Sequence, residues 1–312
     1  MPVMKVGMVT VTYNSGAVID DFMKSVLEQS CKDLLLYVID NASSDDTIGK
    51  IGKYRMGNLQ LIANTENLGI AEGNNQGIRR AIDDGCDAVL LLNNDTEFAP
   101  DLVDSLVTGL NKYDCDIVSP KIVFHDRPSV IWSAGGGFNP SRGYVAFHYG
   151  LEQPDAGKFD QPRTVEHAPA CCSLIRVGVF ERIGMMDPKY FIYLDDTDFS
   201  YRALLAGVRT VYLPGARVLH KASSLTGGAE SEICLRYRTR NQVYFMLKHL
   251  GVLRSLVFIP AYQIWLFYQS LRRKSRSKFW LRERALFEGL RLWYSVHSAG
   301  VQDDNLRQGI SN

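Results

Sequence analysis

From residue 6 to about 124, five short apolar runs alternate with amphipathic stretches of helical length: VGMVTVTY (6–13), LLLYVID (34–40), LQLIAN (59–64), AVLLLN (88–93) and IVSPKIVF (117–124). Runs this rich in β-branched residues, separated by helix-length connections, predict a βαβ series and hence a parallel sheet flanked by helices. The runs lack polar alternation, as strands buried on both faces do. Between them Val18, Phe22, Val26 and Leu27, then Ile78, Ala81 and Ile82, then Leu102, Leu106 and Leu110 fall at helical spacing. With 312 residues, 46% apolar and 22% charged, the chain can build one large domain with an attachment. The same figures exclude disordered, collagen-like and multi-span membrane classes.

Residues 125–170 change character. Gly135, Gly136, Gly137, Pro140, Gly143, Gly150 and Pro154, mixed with aromatics, predict loops and antiparallel pieces over the sheet's edge, where function commonly resides. A strand near 170–176, a helix over about 196–206, the strand TVYLPGARVLH ending at His220, and helices over 230–298 follow. The expected division is a catalytic domain at 1–228, made of halves 1–124 and 125–228, and a helical region at 229–312. The six cysteines form no C-x-x-C pair, which fits reduced thiols, and the N-terminus enters a strand without an apolar leader. Both point to the cytoplasm.

In an open parallel sheet, ligands bind beyond the carboxyl ends of the strands. There the chain places Tyr13 and Asn14, then Asp40 and Asn41, then 64–69, then Asn93, Asn94 and Asp95. A carboxylate such as Asp95 at the end of a buried strand needs a partner, either a cation or the start of the next helix. Asp40 can accept a hydrogen bond from a nucleobase N–H, although DNASSDDT is also rich in turn and cap formers. The segment NLGIAEGNNQG is neither G-x-G-x-x-G nor a P-loop; its glycines admit close approach to a nucleotide or, equally, close helix-to-sheet packing. In YFIYLDDTDFSYR, Asp195, Asp196 and Asp198 open a helix, where negative charge is favourable on structural grounds alone. Asp198 and Arg202 have the spacing of a helix-face pair, which leaves Asp196 as the preferred base. His220, beside a Ser/Gly-rich loop, is a candidate ligand for a metal or phosphate, although an isolated histidine is more often structural.

The motifs VTVTYNSG, YVIDNASSDDT, NLGIAEGNNQGI, LLLNNDTEFAPDLV and YFIYLDDTDFSYRALLAG, in this order, resemble the family 2 glycosyltransferases of the GT-A fold. The nearest branch in character is the rhamnosyltransferase-like one that builds bacterial surface polysaccharides. The resemblance covers about residues 4–225. It implies a nucleotide-diphosphosugar donor, a divalent metal (Mn2+ or Mg2+), inversion at the anomeric carbon and a saccharide or lipid-linked acceptor. By position, Tyr13 and Asp40 would hold the base, with Gly69, Asn74 and Asn94 beside them on the donor. Asp95 would close the D-x-D element, His220 would complete the metal site, and Asp196 would be the general base. The D-x-D element here reads Asn93-Asn94-Asp95, with one carboxylate, and the E-D pair is Asp195-Asp196. No Q-x-x-R-W signature is present, which favours one sugar per encounter. A sugar-nucleotide-binding protein without transfer and a nucleotidyltransferase are the rival readings. The first would lose the base, and the second should carry a G-x-G-T-R-L-type loop where this chain has TYNSG.

Charge is unevenly placed. Residues 1–235 hold 21 Lys/Arg against 30 Asp/Glu, whereas 236–291 hold 13 against 2. The acidic body speaks against nucleic acid. The run SLVFIPAYQIWLFY (255–268), followed by RRKSRSK, reaches only about 21 Å as a helix and is interrupted by Pro260 and Gln263, so it is expected to lie on an anionic membrane surface rather than to cross it. Packing in a homodimer is the alternative for the same helices.

Overall fold

The computed structural model describes residues 4–222, 227–228, 230–272 and 276–308. Two compact units emerge: residues 1–138 with 146–225, and residues 139–145 with 226–312. Segment 139–145, which the sequence reading puts in the catalytic half, belongs to the second.

The first unit follows the predicted alternation. It runs β1 (Val6–Thr12), α1 (Ile19–Leu27), β2 (Leu34–Asp40), α2 (Thr47–Ile51), β3 (Leu59–Ala63), α3 (Gly69–Asp83), β4 (Ala88–Leu92), β5 (Thr96–Phe98), α4 (Leu102–Lys112) and β6 (Ile117–Phe124). Then come β7 (Ile131–Ser133), β8 (Gly136–Asn139), β9 (Val145–His148), β10 (Arg163–Thr164), β11 (Cys172–Arg176), α5 (Val177–Ile183), α6 (Asp195–Leu205) and β12 (Thr210–His220). The main sheet has the order β10-β12-β6-β11-β4-β1-β2-β3, with β5 on β12 and β7 on β6. β1 to β4 are mutually parallel where they pair, as are β6 and β12. β11 breaks the pattern by running antiparallel between β4 and β6.

Burial follows the pattern. Every residue of β1 and β4 is buried, while β3, at the sheet's edge, is only half-buried. Val18, Phe22 and Val26 face the core, but Leu27 is exposed. On α3 the glycines serve packing. A Cβ on Gly73 would meet Val11 at 2.8 Å, and one on Gly77 would collide with Val9, so the helix lies flat on β1 only without these side chains. This favours the helix-to-sheet reading of those two glycines.

The second unit contains α7 (Glu232–Arg272) and α8 (Arg276–Gln308). Gly251, at φ 74° and ψ 168°, breaks α7 into segments 232–250 and 252–272, whereas Pro260 lies inside the second segment without ending it. The expected interruption therefore falls nine residues earlier, at the residue type that tolerates positive φ. Val243, Leu247 and Leu286, with Ile259, Leu290 and Trp293 against them, form this unit's apolar centre.

Candidate active site

The site grows from one register. Cys172 of β11 pairs with Leu92 of β4, so the residues preceding β11 lie beside those following β4. The Asn93 N–H donates to the Cys171 carbonyl at 3.0 Å. One residue earlier, the Ala170 N–H donates to Asp196 Oδ2 at 3.3 Å. Segment 168–172 thus touches both acidic motifs, although they are about a hundred residues apart in sequence.

A second pairing completes the rim. β5 runs antiparallel to β12 with Thr96 opposite His220, which carries the imidazole to the carboxylate of the preceding residue. His220 Nε2 lies 3.3 Å from Asp95 Oδ1, and both residues are buried. Burial opposes a charge on the imidazole, but the Cys171 sulfur and the Asp95 carboxylate outweigh it and raise His220 to about 10. His220 Nδ1 has no hydrogen-bond partner among the described residues. Trp132 of β7 packs edge to face on the His220 ring at 4.7 Å and lies 4.7 Å from His148. Trp132 and Cys171, which fix the imidazole, carry no sequence signal that would have singled them out.

A divalent ion fits this pair as two donors, one carboxylate oxygen and one imidazole nitrogen, with the remaining positions left to phosphate oxygens and water. No group of three or more His, Cys, Asp or Glu side chains among the described residues could hold a metal alone.

The other acids separate by environment. Asp198 is fully buried and accepts from Tyr190 Oη at 3.1 Å and Arg202 Nε at 2.8 Å, so the expected pair with Arg202 forms and Asp198 is structural. Asp195 is buried as well, and burial first, then Asp196 and Asp198, push its carboxyl well above the ordinary carboxylate range, toward the protonated form. Asp196 is half-buried, accepts from the Thr197 N–H at 2.7 Å, and lines a small cavity with Ala168, Ala170, Ser173 and Ser200. The chain reaches α6 through Phe191, Tyr193 and Leu194, all at φ between 62° and 65°. Such strain in non-glycine residues clusters at functional sites. The Phe191 carbonyl accepts from the Ile70 N–H at 2.6 Å, and a Cβ on Gly69 (φ 83°) would stand 2.5 Å from that oxygen. Gly69 is therefore glycine because this loop docks on the start of α3.

The expected donor residues divide. Tyr13 is 47% exposed at the end of β1 and available to a ligand. Asp40 has no exposed surface; its oxygens accept from Thr12 Oγ1 at 2.8 Å, Ser43 Oγ at 2.6 Å and the Ser43 N–H at 2.9 Å. It braces the loops after β1 and β2, and direct contact with a base would require that network to open. Asn74 also turns inward, with its Nδ2 3.5 Å from Met186 Sδ, while neighbouring Asn75 exchanges two bonds with the Met186 backbone. Both tie α3 to the loop before α6, where a donor-contact role was expected of Asn74. Asn94 hydrogen-bonds the Val11 carbonyl and has a buried Oδ1 without a partner among the described residues. Asn41, Asn64 and Gln76 form a further chain along the rim, Asn41 reaching the Gly69 carbonyl at 3.0 Å. Of the Ser/Gly-rich loop after His220, residues 223–226 lie outside the described residues.

His167 is a separate feature of this unit. It is buried between Phe138 and His148, and neither ring nitrogen has a hydrogen-bond partner among the described residues. Burial lowers it to about 4. An unfolded histidine titrates near 6.5, so between pH 6.5 and 4 the unfolded chain binds the extra proton and stability falls as pH falls through that window. The expected contribution is about 3 kcal/mol, present in full above pH 6.5 and lost by pH 4. Chemical unfolding at both ends of the window checks this. His167→Phe should lose less stability on acidification than the parent, and parallel losses would remove the histidine as the cause.

The glycosyl transferase family 2 model matches residues 8–184. An N-acetylglucosaminyl-diphospho-decaprenol L-rhamnosyltransferase of Mycobacterium tuberculosis is 25% identical over 269 residues, 79% of this chain and 86% of that protein. The dTDP-rhamnosyl transferase RfbF of Shigella flexneri is 23% identical over 257 residues, 80% of this chain and 82% of its own length. Among solved structures, GalNAc-T7 with UDP, GalNAc and Mn2+ superposes with a TM-score of 0.60 at 16% identity over 79% of this chain; the matched region is about half (48%) of that longer protein. The fold is GT-A, and the motifs, the rim and the family match agree: this chain belongs to glycosyltransferase family 2, in its rhamnosyltransferase-like part.

Proposed function

We propose that the chain is an inverting, non-processive rhamnosyltransferase. It takes the sugar from a nucleoside-diphosphate donor, best read as thymidine diphosphate, and adds it to a hydroxyl of a lipid-linked saccharide during synthesis of a bacterial surface polysaccharide. The work is done in the cytoplasm, at the inner face of the membrane. The single observation that carries the reading is segment 168–172, which hydrogen-bonds Asp196 on one side and lies against the Asp95–His220 pair on the other. A leaving group and an attacking hydroxyl can then be served from two sides of one rim. The names of the two rhamnosyltransferase relatives support the sugar, and the decaprenol-linked substrate in one of them supports the acceptor class.

Tyr13 and the rim asparagines would line the donor, with Asp40 holding their loops in shape. Asp95 and His220 would hold the divalent ion, which when bound supplies positive charge against the diphosphate leaving group. Asp196 takes the proton from the acceptor hydroxyl as it attacks the anomeric carbon from the face opposite the diphosphate. Burial disfavours a charge on Asp195, which spares Asp196 a like-charged neighbour. One base and no covalent intermediate give inversion.

A panel of nucleotide sugars, assayed for hydrolysis and transfer with and without Mn2+ or Mg2+, tests the reading. Turnover of a dTDP-sugar, with rhamnose preferred and dependence on the ion, is the expected result. Binding without turnover would favour a binding protein, and pyrophosphorolysis alone a nucleotidyltransferase.

A further inference from the structure

Twelve of the twenty large apolar side chains that the described residues leave exposed lie between residues 252 and 294. In segment 252–272 of α7 the buried positions Ser255, Leu266 and Ser270, with half-buried Ile259 and Tyr262, follow helical spacing on one face. The opposite face carries Leu253 (83% exposed), Leu256, Val257, Ile264 (69%), Phe267 and Leu271. Rings continue this surface onto α8: Phe267 lies 5.5 Å from Phe279, and Phe279 lies 5.4 Å from Trp280, itself 66% exposed. Farther along α8, Phe287 and Tyr294 are also exposed, at intervals of seven residues from Trp280. A water-facing helix would not carry such a stripe.

The charges around it are of one sign. The only two acids in 236–291 are engaged within the unit, Glu288 with Arg236 at 2.8 Å and Glu283 with Gln263 at 2.8 Å. Arg254 and Arg272 stand exposed near the two ends of the apolar segment, and Arg284 and Arg291 stand exposed on α8. Trp265, Tyr268, Gln269 and Arg272 line an open hollow, with the Arg272 guanidinium 5.5 Å over the Tyr268 ring. An aromatic pair with a cation and an amide at its mouth suits a phosphate headgroup at the boundary of water and acyl chain.

We infer that segment 252–272 and the aromatic stripe of α8 seat the protein on an anionic lipid leaflet, with the helices in the plane of the interface. Glu232–Arg272 is long and apolar enough to cross a bilayer by length and composition, and its second segment alone extends about 31 Å. The expectation that this region is too short to span therefore fails on length. The in-plane placement rests instead on what the helix is tied to. Gln263 bonds Glu283, and the buried Arg282 bonds Ser270 at 3.3 Å, so crossing would carry charged α8 residues into hydrocarbon. A second copy of the chain is the poorer occupant, because two such faces would bring like charges together, whereas an anionic surface complements them. The surface deepens the proposed function by naming where a lipid-linked acceptor would be met, and it rests on that reading only for its purpose.

The full chain is sedimented with phosphatidylglycerol-containing vesicles and with phosphatidylcholine vesicles. Preferential binding to the first, weakened by salt, is expected. Leu256→Glu with Ile264→Glu, at exposed helical positions where glutamate is a good helix former, should reduce binding at least about tenfold. Replacing Arg254, Arg272 and Arg284 by Gln should reduce it about a hundredfold. Circular dichroism confirms that the variants fold. Arg273 and Lys274, two more of the basic residues that the sequence suggests for this role, lie outside the described residues. No vesicle binding, binding unchanged in both variants, or a dimer in sedimentation velocity that Leu256→Glu dissociates would each overturn the inference. Transfer to a short-chain, water-soluble acceptor separates the two readings. Docking variants that keep this transfer but lose transfer to vesicle-borne acceptor support both. Vesicle binding without any use of lipid-linked acceptor overturns the acceptor assignment and leaves the docking surface standing.

Discussion

Asp196→Asn will lower transfer by about 10²- to 10⁴-fold, the range a general base supplies, with donor affinity and folding nearly unchanged. Asparagine keeps an oxygen to accept from the Thr197 N–H and is a good residue at a helix start. The bond from Ala170 is already long at 3.3 Å, so its loss costs about 1 kcal/mol or less. Initial rates at saturating donor, with donor affinity measured separately, check both halves of the expectation. Substantial residual turnover would move the base to Asp195, because Asp198 is fully buried and held by Tyr190 and Arg202. The pH profile identifies that case. Burial still raises the Asp195 carboxyl when Asp196 is neutral, so a rate governed by Asp195 would rise with pH above the ordinary carboxylate range.

Asp95→Ala will weaken metal-supported donor binding by about a hundredfold or more, and His220→Ala by about tenfold. The carboxylate brings the formal charge that draws the ion, and its removal also leaves the buried imidazole without its counter-ion. The imidazole, which must give up its proton to bind the ion, then brings a nitrogen and no formal charge, so its removal costs less. Neither change disturbs the backbone bond from the Lys221 N–H to the Asp95 carbonyl, which holds the end of β12 at the site. Calorimetric titration of donor at varied Mn2+ provides the test. Unchanged metal dependence in Asp95→Ala would remove the pair from the metal site.

Strands β1, β2 and β4 were legible because each is a largely apolar run, and burial on both faces demands such runs, while β3 and β6 keep enough apolar residues around Gln60 and around Ser119, Pro120 and Lys121 to read as strands. The end of β12 at His220 and the pairing of Asp198 with Arg202 could also be read, one from composition and one from helical spacing. Lateral order could not. Nothing in CSLIR states that it runs antiparallel between β4 and β6, because residue identity encodes burial and turn chemistry, while neighbours are chosen by the whole sheet. The three-residue β5 is too short for any periodicity, yet its register with β12 joins Asp95 to His220. The same blindness affected Asp40 and Asn74. Polar residues at strand ends and helix starts suit ligands and internal bracing equally, and the hydrogen bonds to Thr12, Ser43 and Met186 show a bracing role that their spacing does not state.

The seam between β5 and β12 also governs how this enzyme can be taken apart and recombined. The segment matched by the family model, 8–184, carries the strand ends of β1 to β4, including Asp95, but stops short of both Asp196 and His220. A chimaera that exchanged only that block would transplant Asp95 without the His220 it pairs with and separate it from Asp196, the proposed base. Its β5 would also have to find its register against a foreign β12. Donor preference in this chain is therefore not a cassette ending where the recognisable sequence ends. The smallest exchangeable unit runs past residue 220, to the end of the strand that closes the rim.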